Sequence, residues 1–245
     1  MIGLAWVSPQ SGPLPPKEVL DYFKSKGMKP AFSYADVWRE EHTVAFTVAG
    51  VMEKDLLVDL HKAVDEALRE GLPFAEFRKK TTAVLADNGW LGRKTVIDPI
   101  TKEEKEVDLG QPRRLKTIFD TNVRTARAAG QWARITRAAK YMPYLEYSLG
   151  PSRIHRPEHE MFDGLILQVD DKFWRTHMPP NGYGCRCRTR QLSETEAHRR
   201  GIGKSPELPM RTWENPRTGR QMQVPYGCDP GFDFNPGLER FGGLK

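Results

Sequence analysis

The chain has 245 residues, 38% hydrophobic and 29% charged, with 21 glycines, 19 prolines and a formal net charge of +6. That length accommodates one good core or one core with satellite units, and the composition is that of a polar, loop-rich protein. No stretch approaches the roughly 20 consecutive apolar residues of a membrane-spanning helix, and the N-terminus lacks the basic start and apolar run of a secretory signal, so neither a membrane partner nor secretion is expected. Three cysteines cannot all pair within the chain, which points to a reducing compartment or to metal use and fits assembly in the cytosol.

Residues 1–30 carry Pro9, Pro13, Pro15, Pro16 and Pro30, the pattern of an extended arm with one short helix from Lys17 to Lys26. From Ser33 to Val48 the pattern turns helical. Ser33 and Asp36 have the spacing of a capping box, and Val37, Trp38, Ala45 and Val48 are candidates for the buried face. A second helix is predicted from about Met52 to Glu70, where Leu56, Leu60, Ala63, Val64, Ala67 and Leu68 recur at helical spacing before Gly71. Pro73 then opens a third, with Phe74, Phe77, Val84 and Leu85 aligned before Asn88-Gly89.

Lys94 to Val107 reads as a small exposed hairpin turning at Asp98-Pro99-Ile100-Thr101-Lys102. The longest helix follows, Arg114 to Tyr141, with an apolar stripe of Leu115, Ile118, Phe119, Val123, Ala126, Ala129 or Gly130, and Ala133, whose small residues permit a close neighbour. Around it lie Arg113, Arg114, Lys116, Arg124, Arg127, Arg134, Arg137 and Lys140 against the single acid Asp120. A phosphate backbone or an acidic partner complements such a surface, while the alternative is an ordinary solvated helix face. After Tyr141, Met142 to Leu149 reads as a strand, extended by Leu165 to Val169 after the turn at Asp163-Gly164. The expected fold is α+β: an arm (1–30), a mainly helical body (31–141) with an inserted hairpin (94–107), a small mixed loop-rich unit (142–195), and a proline- and glycine-rich tail (196–245) that orders against the body or a partner. Trp90, Trp132 and Trp174 read as caps on core edges.

The chemistry is bunched in the mixed unit. His155, His159, His177, Cys185 and Cys187 are the residue types zinc prefers, held among prolines and glycines that bring distant side chains together. A structural site would use His159, Cys185, Cys187 and one of His155 or His177. Against this, Cys-Arg-Cys is tighter than the two- to four-residue separation common in such sites, and both cysteines also fit as small buried hydrophobes with the histidines as hydrogen-bonded residues. His159, Glu160, Asp163, Asp170 and Asp171, near Arg186 and Arg188, have the composition of a metal-dependent phosphodiesterase, but composition is not geometry, and His155-x-x-x-His159 lacks the glutamate of a zinc protease motif. The chain is therefore expected not to be an enzyme. Cys228, isolated in a turn-rich stretch, is expected to be a free thiol.

Several segments taken in order carry a family resemblance: Phe46-Thr47-Val48-Ala49-Gly50, Phe74 to Phe77, Asn88-Gly89-Trp90, Leu115 to Asn122, Arg156-Pro157-Glu158-His159 with Asp163-Gly164, Asp170 to Trp174, and Pro179 to Cys187. Over roughly residues 30–195 the chain resembles the F-type head morphogenesis proteins of Mu-like phages. The resemblance implies a minor head protein that associates with portal or major capsid protein during procapsid assembly. It implies a role in making the head competent for DNA packaging, with phage DNA touched by the basic 113–140 helix and a location in the virion or in the host cytoplasm during assembly. The competing function is a metal-dependent nuclease packaged with the genome. By the same resemblance Cys185 and Cys187 match the family's terminal cysteine pair. His159 stands where a wider group places its second cysteine, Arg156 where that group carries its first, and Gly184 near its histidine and proline. A fourth ligand is thereby missing, which His155 or His177 would have to supply.

Overall fold

The structure, a computed structural model, describes residues 15–37, 39 and 41–244. Residues 1–14 of the predicted arm, and Trp38, lie outside the described residues. The arm's helix is present as α1 (Lys17–Lys24), whose Val19, Tyr22 and Phe23 fall on one face and are buried.

The span 33–48 departs from the predicted helix. After strand β1 (Gly27–Met28), Ser33 does form the capping box with Asp36, its Oγ accepting from the Ala35 amide at 3.3 Å while Asp36 accepts from the Ser33 amide at 2.8 Å. The box opens only a 3-10 turn, Tyr34–Asp36, before Val37 returns to extended backbone. A one-turn helix α2 (Glu41–Val44) and strand β2 (Ala45–Phe46) follow, and β2 pairs in parallel with β1. Two forces work against the longer helix. Val37, Thr43, Val44, Thr47 and Val48 are β-branched and lose side-chain freedom in a helix, and Asp36 is held by Arg217 from the far end of the chain, at 2.8 Å. Val37, Ala45 and Val48 are buried as expected, but Val37 follows the turn, Ala45 opens β2 and Val48 lies in the irregular stretch after it.

Where periodicity is strong, expectation and structure agree. Helix α3 (Lys54–Glu70) buries Leu56, Leu57, Leu60, Ala63, Val64, Ala67 and Leu68 and ends at Gly71, whose φ of 66° is the left-handed cap that glycine adopts without steric cost. Pro73 precedes α4 (Phe74–Asp87), and strands β3 (Arg93–Ile97) and β4 (Glu104–Asp108) pair antiparallel with only Val96 and Val107 buried. This makes the exposed hairpin.

Helix α5 (Pro112–Ala138) spans 27 residues, about 40 Å at 1.5 Å per residue. It belongs to two cores. Its first half, Leu115 to Ala129, packs with α1, α3, α4 and the hairpin, whereas Trp132 and Ile135 enter a second core made by the mixed unit. The expected division at 141 therefore falls after a helix that both cores share. At Gly130 the backbone of α1 comes so close that an added Cβ would meet the Val19 amide nitrogen at 3.0 Å.

The mixed unit contains β5 (Tyr144–Ser148), α6 (Pro157–Glu160), β6 (Ile166–Gln168), α7 (Phe173–His177) and β7 (Arg188–Leu192), with an antiparallel sheet in the order β6-β5-β7. Helix α8 (Glu194–Arg200) follows, and its Arg200 joins Arg190 on the buried Glu146 carboxylate. The tail wraps on the body as expected, but with structure of its own: the hairpin β8 (Met210–Glu214) and β9 (Gln221–Pro225), then α9 (Pro236–Phe241) packed along α5. Asn215 donates to the Ala35 carbonyl at 3.0 Å, Trp132 Nε1 donates to the Gly242 carbonyl at 3.1 Å, and Arg39 pairs with Asp233 at 2.5 Å.

Candidate metal centre

Three of the five predicted ligands meet. His159 sits on the single turn of α6, placed by Pro157 at its first position, and Cys185 and Cys187 lie on the loop that leads into β7. Their nitrogen and sulfur atoms all lie within 4.8 Å of one another, with His159 and Cys185 buried and Cys187 half-buried. The separations are 3.5 Å from His159 Nδ1 to Cys187 Sγ and 3.9 Å from Nδ1 to Cys185 Sγ.

The ring is oriented by its other nitrogen. His159 Nε2 lies 2.9 Å from the Gly227 carbonyl, which only accepts, so Nε2 carries the proton and the Nδ1 lone pair faces the two sulfurs. The thiols are unequal. The hydrogen bond between the two sulfurs holds Cys187 down to about 4, while that bond and burial push Cys185 well up. One sulfur of the pair gives up its proton first, and it is Cys187.

The other two predicted ligands lie outside this group. His155 is hydrogen-bonded through Nε2 to the Gly150 carbonyl at 2.8 Å. His177 is a core residue: it stacks on Phe173 with ring centroids 4.6 Å apart, its Nε2 donates to the Tyr226 carbonyl at 2.9 Å, and Thr176 Oγ1 meets Nδ1 at 2.8 Å. Burial lowers its basicity. Arg156, at the position where the wider group carries a cysteine, pairs with Asp229 at 2.8 Å and donates to the Tyr183 carbonyl at 2.8 Å. An ion pair, not a ligand, holds the loop to the tail there.

Two of the four carboxylates of the nuclease reading, Asp163 and Asp171, serve as local caps. Asp163 accepts from the Leu149 amide at 2.9 Å, and Asp171 accepts from the Phe173 amide at 2.8 Å and from Ser205 at 2.7 Å. Among the described residues the one group of three or more metal-type side chains is His159, Cys185 and Cys187.

Sequence reasoning left out the tail's part in the site. Tyr226 and Gly227 supply the carbonyls that orient both histidines, and Gly227, at φ 90°, lies so close to Phe162 that an added Cβ would meet its ring at 2.7 Å. Next to them Cys228 is buried, and its thiol donates to the Thr176 carbonyl at 3.3 Å. Tyr147 and Asn181 complete the surroundings, the Tyr147 hydroxyl donating to Asn181 Oδ1 at 3.1 Å. Only the isolated Gly227-Cys228-Asp229 turn hinted at this closure in the sequence.

A cavity of about 420 Å³ opens beside the sulfurs. Besides Cys185 and Cys187 it is lined by Arg124 and Arg127 of α5, Arg188 and Pro180.

All of these ligands fall inside a match to the family model described as Phage Mu protein F like protein, over residues 58–190. The chain belongs to that family. It is 34% identical to protein F of Escherichia phage Mu, whose name assigns it to capsid assembly, across 94% of this chain and 56% of the relative. It is 36% identical to the Mu-like prophage FluMu F protein of Haemophilus influenzae, across 67% of this chain and 40% of the relative. The chain thus spans about half the length of the curated relatives it matches. No solved structure matches it. Tyr226 and Gly227, which orient the two histidines, lie beyond the segment matched by the family model.

Proposed function

We propose that this protein is a non-enzymatic minor component of the phage head, bound to portal or major capsid protein during procapsid assembly and needed for a head competent to package DNA. The observation that carries the reading is membership of the Mu F family together with the capsid-assembly name of the 34%-identical relative. Its place of action is the host cytoplasm during assembly, and then the virion. No helix among the described residues is long and apolar enough to cross a membrane.

The basic helix supports protein contacts better than a groove-reading role. Its apolar face is buried in two cores, Arg114 donates to the Ala49 carbonyl, Lys116 pairs with Asp120 at 3.0 Å, and Arg137 pairs with Glu18 at 2.6 Å. Of the five remaining cations, none of which has an ion-pair partner among the described residues, Arg134 has a buried Nη1, so contact with phage DNA falls to Arg113, Arg124, Arg127 and Lys140. Phosphate neutralisation of that kind weakens steeply as salt rises.

Co-expression with the cognate portal and major capsid proteins, followed by gradient sedimentation, tests the reading. The protein is expected to sediment with procapsids and to leave duplex and single-stranded DNA intact with magnesium or manganese. Absence from every particle fraction, with metal-dependent cleavage abolished by Asp163→Ala or Asp170→Ala, would replace it with the nuclease reading.

A further inference from the structure

We propose that His159, Cys185 and Cys187 bind one zinc ion through three protein ligands, with the fourth position filled by a water molecule or small anion from the arginine-lined cavity. The first support is metric. A tetrahedral zinc with bonds of about 2.3 Å to sulfur and about 2.0–2.1 Å to nitrogen sets its nitrogen and sulfur ligands about 3.5–3.6 Å apart. His159 Nδ1 lies 3.5 and 3.9 Å from the two sulfurs, so an ion enters with shifts of a few tenths of an ångström.

The second support is orientation. A metal-bound imidazole donates its other N–H to a carbonyl or carboxylate, which fixes the tautomer and the ring. The Gly227 carbonyl does this for His159, on a turn itself held by the Asp229 amide donating to the Asn181 carbonyl at 2.8 Å.

The third support concerns the missing ligand. Neither His155 nor His177, the two predicted sources of a fourth ligand, brings a ring nitrogen into the group whose donor atoms lie within 4.8 Å of one another, and Arg156 is held by Asp229. Cys185 and Cys187 line the cavity together with Arg124, Arg127, Arg188 and Asp120, and Lys116 pairs with Asp120 at 3.0 Å. Two thiolates and a neutral imidazole cancel the charge of Zn²⁺, so three arginines against one already paired carboxylate favour an anion at the open position. Binding releases the thiol protons to solvent, with no change of oxidation state.

The test uses the full chain alone and therefore stands apart from the head-assembly reading. Protein purified without chelator is expected to carry about one zinc per chain. Its cobalt-substituted form should show sulfur-to-cobalt charge transfer, and azide should shift that spectrum by entering the open position. Cys185→Ser, Cys187→Ser and His159→Gln should each lose most of the metal, while Cys228→Ser and His155→Asn keep it. If a ligand variant does not fold, alkylation of the wild type decides: chelation should make Cys185 and Cys187 react faster, with Cys228 unaffected. Metal-free protein that takes up no added zinc, with alkylation indifferent to chelator, overturns the site. Zinc lost in Cys228→Ser or His155→Asn, or a cobalt spectrum blind to azide, overturns the three-ligand assignment.

Discussion

The two cores of this protein are built differently. The first, under α1, α3, α4 and the hairpin, encloses Leu56, Leu57, Leu60, Leu68, Phe77 and Leu85 fully, and the buried hydroxyls of its surroundings, Thr43 and Thr81, form no web of side-chain bonds. The second adds a buried polar web: Tyr147 to Asn181, Cys228 to Thr176, Asn235 to the Trp174 carbonyl, and His159 and His177 to the Gly227 and Tyr226 carbonyls. Helices satisfy their own backbone and need only an apolar face. A unit of short strands, single turns and long loops has backbone groups left over, and buried side chains must satisfy them. The first core is therefore stabilised by bulk and the second by matched pairs.

The largest effect should come from a cavity in the first core. Leu60→Ala is expected to cost about 2–5 kcal/mol in urea unfolding, because a fully buried leucine leaves a void in closely packed surroundings. If the cost falls below about 1 kcal/mol, the first core is looser than its burial implies and the contrast between the cores fails.

Next comes a polar deletion in the second core. Asn181 is fully buried, and Asn181→Ala leaves the Tyr147 hydroxyl without that acceptor, a loss of about 1–3 kcal/mol. Hydrogen exchange should quicken across 144–230 and leave α3 and α4 unchanged. Uniform quickening throughout the chain would show that α5 couples the two cores into one cooperative unit.

Gly130→Ala probes the shared helix. In an isolated helix the change would stabilise by about 1 kcal/mol, but here the new methyl presses on Val19, so a net loss of about 1–2 kcal/mol is expected. A stabilised variant on thermal melting would mean that α1 rides over α5 with room to spare.

The smallest effect is a pH slope. Lys26 is buried, its Nζ bonded to the His42 carbonyl at 2.6 Å and lying 5.0 Å from the Tyr22 ring centre, and burial lowers its pKa to about 7. Between that value and about 10.4 the unfolded chain holds a proton that the folded chain lacks, so stability should rise with pH, by at most about 1.4 kcal/mol per unit. Urea titrations across the single unit from pH 7.5 to 8.5 should show this rise in the wild type and not in Lys26→Met. An equal rise in both would remove Lys26 as its source.

The body was legible because repetition along one chain segment is all an amphipathic helix needs. The leucines of α3, Gly71 after it and Pro73 before α4 settle both helices whatever packs on them. The span 33–48 was not legible in that way. It carries a helix's capping signal and apolar spacing, but its Asp36 belongs to Arg217 and its Phe46 pairs beside Met28, partners that local periodicity does not reveal. The site divides along the same line. His159, Cys185 and Cys187 stood out by residue type, and so did His155 and His177, because type alone does not say where a ring nitrogen points.

By itself the sequence determined the helical body, the inserted hairpin, the strand-and-turn unit after Lys140 and the family, since each is written in residues near one another along the chain. Only the tertiary structure decided that neither His155 nor His177 joins His159 and the two cysteines. That choice depends on carbonyls of Tyr226 and Gly227, roughly 50 to 70 residues downstream, each accepting one ring proton. Hydrogen bonds act over a few ångströms of space regardless of separation in sequence, so the ring that keeps a free nitrogen toward the sulfurs is settled when the tail closes over the site.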